Sequence, residues 1–167
     1  MRQIRTIISV SAVTAVALTA VTTGAPAHTR QASDPNIVET AAAAGKFKTL
    51  SSLLKRAELV RPLEGKGPYT VFAPTDAAFA KVPKATLDRL ARDRAALRSV
   101  LLLHVAKGGL TAAKVTKRRA VKTLNGERLG IRVRDGKVFI GGARVVTPDV
   151  TASNGVIHGI NKVLVPR

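Results

Sequence analysis

The sequence has no cysteine and no tryptophan, one tyrosine and four phenylalanines in 167 residues. Without cysteine there is no disulfide, thiolate nucleophile, zinc ribbon or iron–sulfur cluster, and no residue for lipoprotein-type acylation. With aromatics at 3%, base-stacking platforms, sugar-stacking clefts and aromatic cages have little to be built from. Acids are scarce as well: 10 Asp+Glu stand against 28 Lys+Arg, a formal charge of +18 that argues against a polycationic partner. Hydrolase chemistry is weakly supported, because no Gly-x-Ser-x-Gly or His-Glu-x-x-His occurs and the Ser-x-x-Lys spacing at Ser52-Lys55 falls within an ordinary amphipathic helical stripe. Gly65-Lys66-Gly67, Gly108-Gly109 and Gly141-Gly142 lack the spacing and strand-to-helix setting of a phosphate loop and read as turns.

What is present suits one exported domain. The length fits a single domain, and 46% apolar residues suffice for a core. Arg2 and Arg5 precede an uncharged run from Thr6 to Val21 rich in Ile, Val, Ala and Leu, and Ala25-Pro26-Ala27 follows. This is the basic, apolar and small-residue order of a signal peptide, with cleavage expected after Ala27. The run is short of a membrane span and diluted by Ser and Thr, and no later run approaches that length, so the mature form is expected to lack a membrane segment. Removal of residues 1–27 leaves 26 basic and 10 acidic side chains over 140 residues, a charge of +16. Residues 28–33 read as a flexible tail and residues 34–167 as the domain.

Within the domain, helical signals come first. Asp34-Pro35 reads as a helix start, Ile37, Ala41 and Ala44 as one face, and Gly45 as a left-handed stop. Phe47, Leu50, Leu53, Leu54 and Ala57 form a second helical stripe, and Arg61 to Pro68 is a breaker-dense loop. Tyr69 to Ala73 is a strand stopped by Pro74, Thr75 caps a short turn through Phe79, and Asp93 caps a helix carrying Leu97, Val100, Leu101 and His104. After about Val121 the pattern becomes strand-like, with hairpin signals at Asn125-Gly126 and Asp135-Gly136 and alternation of Leu129, Ile131 and Val133 with Arg128, Arg132 and Arg134. Strand-like runs 137–140, 143–147 and 156–165 follow. Helices followed by a mostly antiparallel half imply an α+β class.

Two blocks carry a family resemblance. Tyr69-Thr-Val-Phe-Ala-Pro-Thr-Asp-Ala-Ala-Phe79 and Asn154-Gly-Val-Ile-His-Gly-Ile-Asn-Lys-Val-Leu-Val-Pro166 resemble the two hallmark blocks of the fasciclin (FAS1) domain. Asn36-Ile-Val and Phe47-Lys-Thr-Leu50 resemble its opening helices, so the likeness runs from about Asp34 to Pro166. It implies a FAS1-like β-wedge or sandwich with N-terminal helices packed on one side. It further implies a secreted, non-enzymatic adhesion module that binds a cell-surface or extracellular-matrix macromolecule and needs no cofactor. Leu103 stands where the family often has Tyr before His104, which weakens any expectation of integrin binding. The signal peptide and the Ala/Arg-rich composition point to a secreted single-domain bacterial member.

The residues of these blocks also have plain structural readings. Thr70 and Phe72 belong to a strand buried on both faces, Pro74 ends its ladder, Thr75 or Asp76 satisfies amides at the following turn, and Phe79 closes onto the core. Asn154 and Gly155 suit a turn. His104 and His158 stand between apolar neighbours with no metal-ligand spacing around them, and read as hydrogen-bonded structural residues. The chemical feature left over is basic charge: eight Lys/Arg and no acid lie between Asp93 and Glu127, densest at Lys114, Lys117, Arg118, Arg119 and Lys122. A solvated face is one reading. The alternative is a general polyanion-binding patch for anionic glycan, teichoic acid or anionic lipid heads, with export and scarce aromatics weighing against nucleic acid.

Overall fold

The computed structural model describes residues 34–166. The expected signal peptide (1–27), the tail (28–33) and Arg167 lie outside the described residues.

Helix α1 (Ile37–Ala43) starts from Asn36 rather than from the expected Asp34. The Asn36 side chain accepts from the amides of Val38 and Glu39 at 2.9 and 3.0 Å, and Glu39 Oε2 accepts from the Asn36 amide at 3.0 Å. That reciprocal box needs a Glu or Gln three residues beyond the cap, which Asn36 has and Asp34 lacks. Gly45, at φ +68°, takes the left-handed conformation that ends the helix. The apolar face is Ile37, Val38 and Ala41, while Ala44 is exposed. Helix α2 (Lys48–Arg56) buries Leu50 and Leu54. A short α3 (Val60–Glu64) occupies the first half of the expected loop, with Pro62 in its first turn, where a missing N–H costs little, and Leu63 in the core.

Strand β1 (Tyr69–Pro74) leads to α4 (Asp76–Ala80), α5 (Lys84–Arg92) and α6 (Arg94–Leu103), then β2 (Val105–Lys107) and α7 (Ala112–Thr116). The β-rich half comprises β3 (Ala120–Lys122), β4 (Arg128–Arg134), β5 (Lys137–Ile140), β6 (Ala143–Ala152) and β7 (Gly155–Ile160). Asp135-Gly136, at φ +50° and +68°, form the tight turn that sets Arg134 opposite Lys137. Gly141-Gly142 do the same between β5 and β6.

The architecture is α+β, with one seven-stranded sheet in the order β2-β1-β7-β6-β5-β4-β3. Only β1 and β7 run parallel; the other neighbours are antiparallel. A bridge between Ala106 and Thr123 connects β2 to the residue after β3, so the two ends of the sheet meet. The helices pack against one face of β1 and β7 around Phe47, Leu50, Leu97, Val71, Ala73 and Ile157. The other face encloses a second core of Phe72, Leu103, Ile131, Ile140, Ile160 and Leu164. The paired strands β1 and β7, which carry much of the two motif blocks, therefore have a core on either side.

Candidate functional site

Polar side chains along the β1–β7 seam have their partners within the fold. Thr70 is fully buried; its hydroxyl donates to the Gly108 carbonyl and accepts from the Leu110 amide at 2.9 Å. Phe72 is buried and stacks on His158, with ring centroids 5.9 Å apart. Pro74 ends β1 opposite Ile160, and Phe79 is buried in the helical core. Thr75 caps α4 by accepting from the Ala78 amide at 3.3 Å.

Asp76 serves a different helix from the one anticipated. Its carboxylate reaches the first turn of α2, accepting from the amides of Thr49 at 2.9 Å and Lys48 at 3.4 Å. Phe47, at the cap of α2, has no side chain able to do this, and a carboxylate near the positive end of a helix is stabilised. Burial pushes the Asp76 carboxyl up, but hydrogen bonds from Thr49 and Lys48, with the Lys48 charge, outweigh it and hold the group below its usual value. Asp149, unmarked in the sequence, does the same for α7: it accepts from the Ala112 amide at 2.7 Å, and the Thr111 cap makes no side-chain bond.

Both interior histidines are saturated. His104 ends α6, where Nδ1 donates to the Val100 carbonyl at 2.7 Å and Nε2 accepts from the Leu164 amide at 2.9 Å. These partners select a neutral ring. Complete burial pushes its pKa down to about 4, against the opposing pull of the Val100 carbonyl. His158 Nδ1 accepts from the Asp149 amide at 3.2 Å and Nε2 donates to the Leu110 carbonyl at 2.6 Å. Among the described residues no three His, Asp or Glu side chains gather in a group able to hold a metal ion.

Asn154 is a four-way junction rather than only a turn residue. Its Oδ1 accepts from the Ile37 amide at 2.9 Å, its Nδ2 donates to the carbonyls of Leu63 at 2.6 Å and Gly65 at 3.0 Å, and its own carbonyl accepts from Tyr69 at 3.0 Å. One side chain thus ties α1 and α3 to the β6–β7 turn. Gly155 is required for close approach, because a Cβ there would run into the Tyr69 carbonyl.

The five basic residues Lys114, Lys117, Arg118, Arg119 and Lys122 lie on α7, on the turn after it and on β3. All are exposed, and none is in an ion pair among the described residues, where Arg94 with Glu58 at 3.3 Å is the one such pair. Arg118 and Lys122 share a groove of about 440 Å³ with Lys107, whereas Lys114, Lys117 and Arg119 do not line it. Lys122 also stands directly opposite Arg128. A second groove of about 610 Å³ involves Arg128, Arg132 and Lys162. Among the described residues no helix is long and apolar enough to cross a membrane.

Comparisons with known proteins follow the same outline. The fasciclin domain profile matches residues 45–166. Protein sll1483 of Synechocystis is 46% identical over 132 residues, 78% of this chain and 73% of that protein. The cell surface glycolipoprotein MPB83 of Mycobacterium bovis is 37% identical over 108 residues, 65% of this chain and 48% of that protein. A solved FAS1 domain pair from the insect cell adhesion molecule fasciclin I shares the fold at TM-score 0.59 and 22% identity, covering 73% of this chain and 46% of that one. The two sequence blocks, the seam they build and the profile match agree: this chain belongs to the fasciclin domain family.

Proposed function

We propose that the protein is a secreted, non-enzymatic interaction module that attaches to a cell-surface or extracellular-matrix macromolecule. The observation that carries this reading is the state of the seam. Every polar side chain there that could suggest chemistry, namely Thr70, Asp76, His104, Asn154 and His158, is already bonded to main-chain groups of the fold. A general acid, base or ligand must offer a lone pair or proton to something outside the protein, and these groups are engaged inside it. The family supplies the setting, since its members include a protein named for the cell surface and one named for cell adhesion.

The test is retention of the fluorescently labelled full chain on intact cells and on extracellular matrix at about 0.15 M salt, run beside a panel of ester, peptide, glycoside and phosphate substrates. Saturable retention without turnover is the expected result. Turnover abolished by His104→Gln or His158→Gln, with the fold retained, would overturn the reading.

A further inference from the structure

We propose that the groove on the solvent side of β4 binds an anionic oligosaccharide carrying more than one carboxylate. Arg128, Gly130 and Arg132 alternate with the buried Leu129 and Ile131, and so project away from the core on the same side of the strand. Phe139 stands opposite Arg132 across the β4–β5 ladder and is only half-buried. Lys162, from the segment after β7, lines the same groove of about 610 Å³, a size within the range of ligand sites.

Two observations point to something outside the chain. The first is unbalanced charge. Arg128, Arg132 and Lys162 have no ion-pair partner among the described residues, and Glu127, the one acid lining the groove, accepts a hydrogen bond from Asn125 at 3.3 Å. Lys122 faces Arg128 directly across the β3–β4 ladder, an arrangement of like charges that weakens a sheet unless an anion offsets it.

The second is Gly130. Its φ is not positive, so the backbone does not demand glycine, and a Cβ placed on it would meet nothing within 4 Å. Glycine inside a strand costs stability, and one of its recurrent uses is to let a ligand approach the backbone closely. Here the vacant side-chain position forms part of the groove between two arginines.

The chemistry of the wall selects the ligand class. Guanidinium groups pair bidentately with carboxylates. The α-carbons of Arg128 and Arg132 are about 13 Å apart along an extended strand, which suits anionic groups spread along a chain better than a single ion. One half-exposed phenyl ring offers a flat apolar patch for one sugar face, while single-stranded nucleic acid uses a series of aromatic platforms. This assignment rests on the reading of the chain as an interaction module and names the ligand of one face of it.

Calorimetric titration of the full chain with tetragalacturonate tests it, with maltotetraose as the uncharged probe and a single-stranded oligonucleotide of matched charge as the competing class. Tetragalacturonate should bind and maltotetraose should not. Gly130→Val changes no charge and should weaken binding by about tenfold or more by filling the groove floor, without lowering the melting temperature. Arg132→Gln/Lys162→Gln should weaken it about as much, whereas Lys55→Gln/Arg56→Gln, the same charge change on α2, should leave it near wild type. Should Gly130→Val melt lower, the two double variants decide the matter. Undiminished binding by a well-folded Gly130→Val, equal losses in the two double variants, or tighter binding of the oligonucleotide would each overturn the proposal. Failure to bind tetragalacturonate with cell-surface retention intact would overturn the ligand assignment alone and leave the module reading standing.

Discussion

The β1–β7 seam and the outer face of β4 are built on opposite terms. In the seam, strands are covered on both sides and each polar atom discussed above has a partner: His104 is bonded at both ring nitrogens, Asn154 through three side-chain contacts, and Asp76 to two amides. On β4 the outward positions carry Arg128, Gly130, Arg132 and Arg134, exposed and without ion pairs among the described residues. Buried polar groups left unpaired are expensive, so the seam's bonds follow from its burial. Exposed charges carry no such requirement and remain available to a partner. The residues that make the family recognisable are therefore the ones holding the fold, and the binding face proposed above lies on less conspicuous positions.

The contrast can be broken most forcefully at Asn154. Asn154→Ala leaves the Ile37 amide of α1 and two carbonyls at the end of α3 without their partner, and should cost about 4 kcal/mol; thermal melting should fall by at least about 10 °C. An unchanged melting temperature would mean that the junction is not structural. The next effect is a pH dependence at His104. Its pKa is lowered in the folded state to about 4 from an ordinary value of 6.5, so below 6.5 the unfolded chain binds a proton that the folded chain refuses. Stability from this group is complete above pH 6.5 and is lost as pH falls toward 4, by about 3 kcal/mol. Denaturant titrations across that window should show the loss in wild type and a flatter profile in His104→Gln. The lowered carboxyl of Asp76 acts at still lower pH, its contribution being present above the usual carboxylate value and lost as pH falls through its own.

Asp76→Ala should be milder, at about 1 kcal/mol, the cost of a helix cap, and amide exchange should quicken at Thr49 more than in the β-rich half. Smallest is the expected effect of Gly130→Val on stability. A β-branched residue suits an exposed strand position, so the variant should melt at or slightly above wild type, within about 1 kcal/mol. A large loss would place Gly130 with the seam residues and erase the contrast.

Much of the fold was legible because its signals are local. The Asp135-Gly136 turn, the alternation along β4, the Asp93 cap and the left-handed stop at Gly45 each need only neighbouring residues to work. What escaped was set by distance or by weak pattern. Asp76 and Asp149 cap helices 27 and 37 residues away, and nothing near either residue in sequence specifies that partner. Helix α5 rests on the core only through the partly buried Leu87 and Leu90, with no fully buried residue, and α7 is only five residues long. Asn154 reads as a turn residue because its three side-chain partners lie about 90 to 117 positions upstream. The groove was equally hidden, since Lys162 joins β4 only through the closed sheet and an isolated strand glycine carries no label for what approaches it.

The most direct single test is amide shift mapping of the ¹⁵N-labelled full chain during titration with tetragalacturonate. The account predicts shifts confined to Arg128–Arg132, Phe139 and Lys162, with Thr70, Asp76, His104, Asn154 and His158 unmoved. Shifts centred on those seam residues, with the β4 face silent, would contradict it.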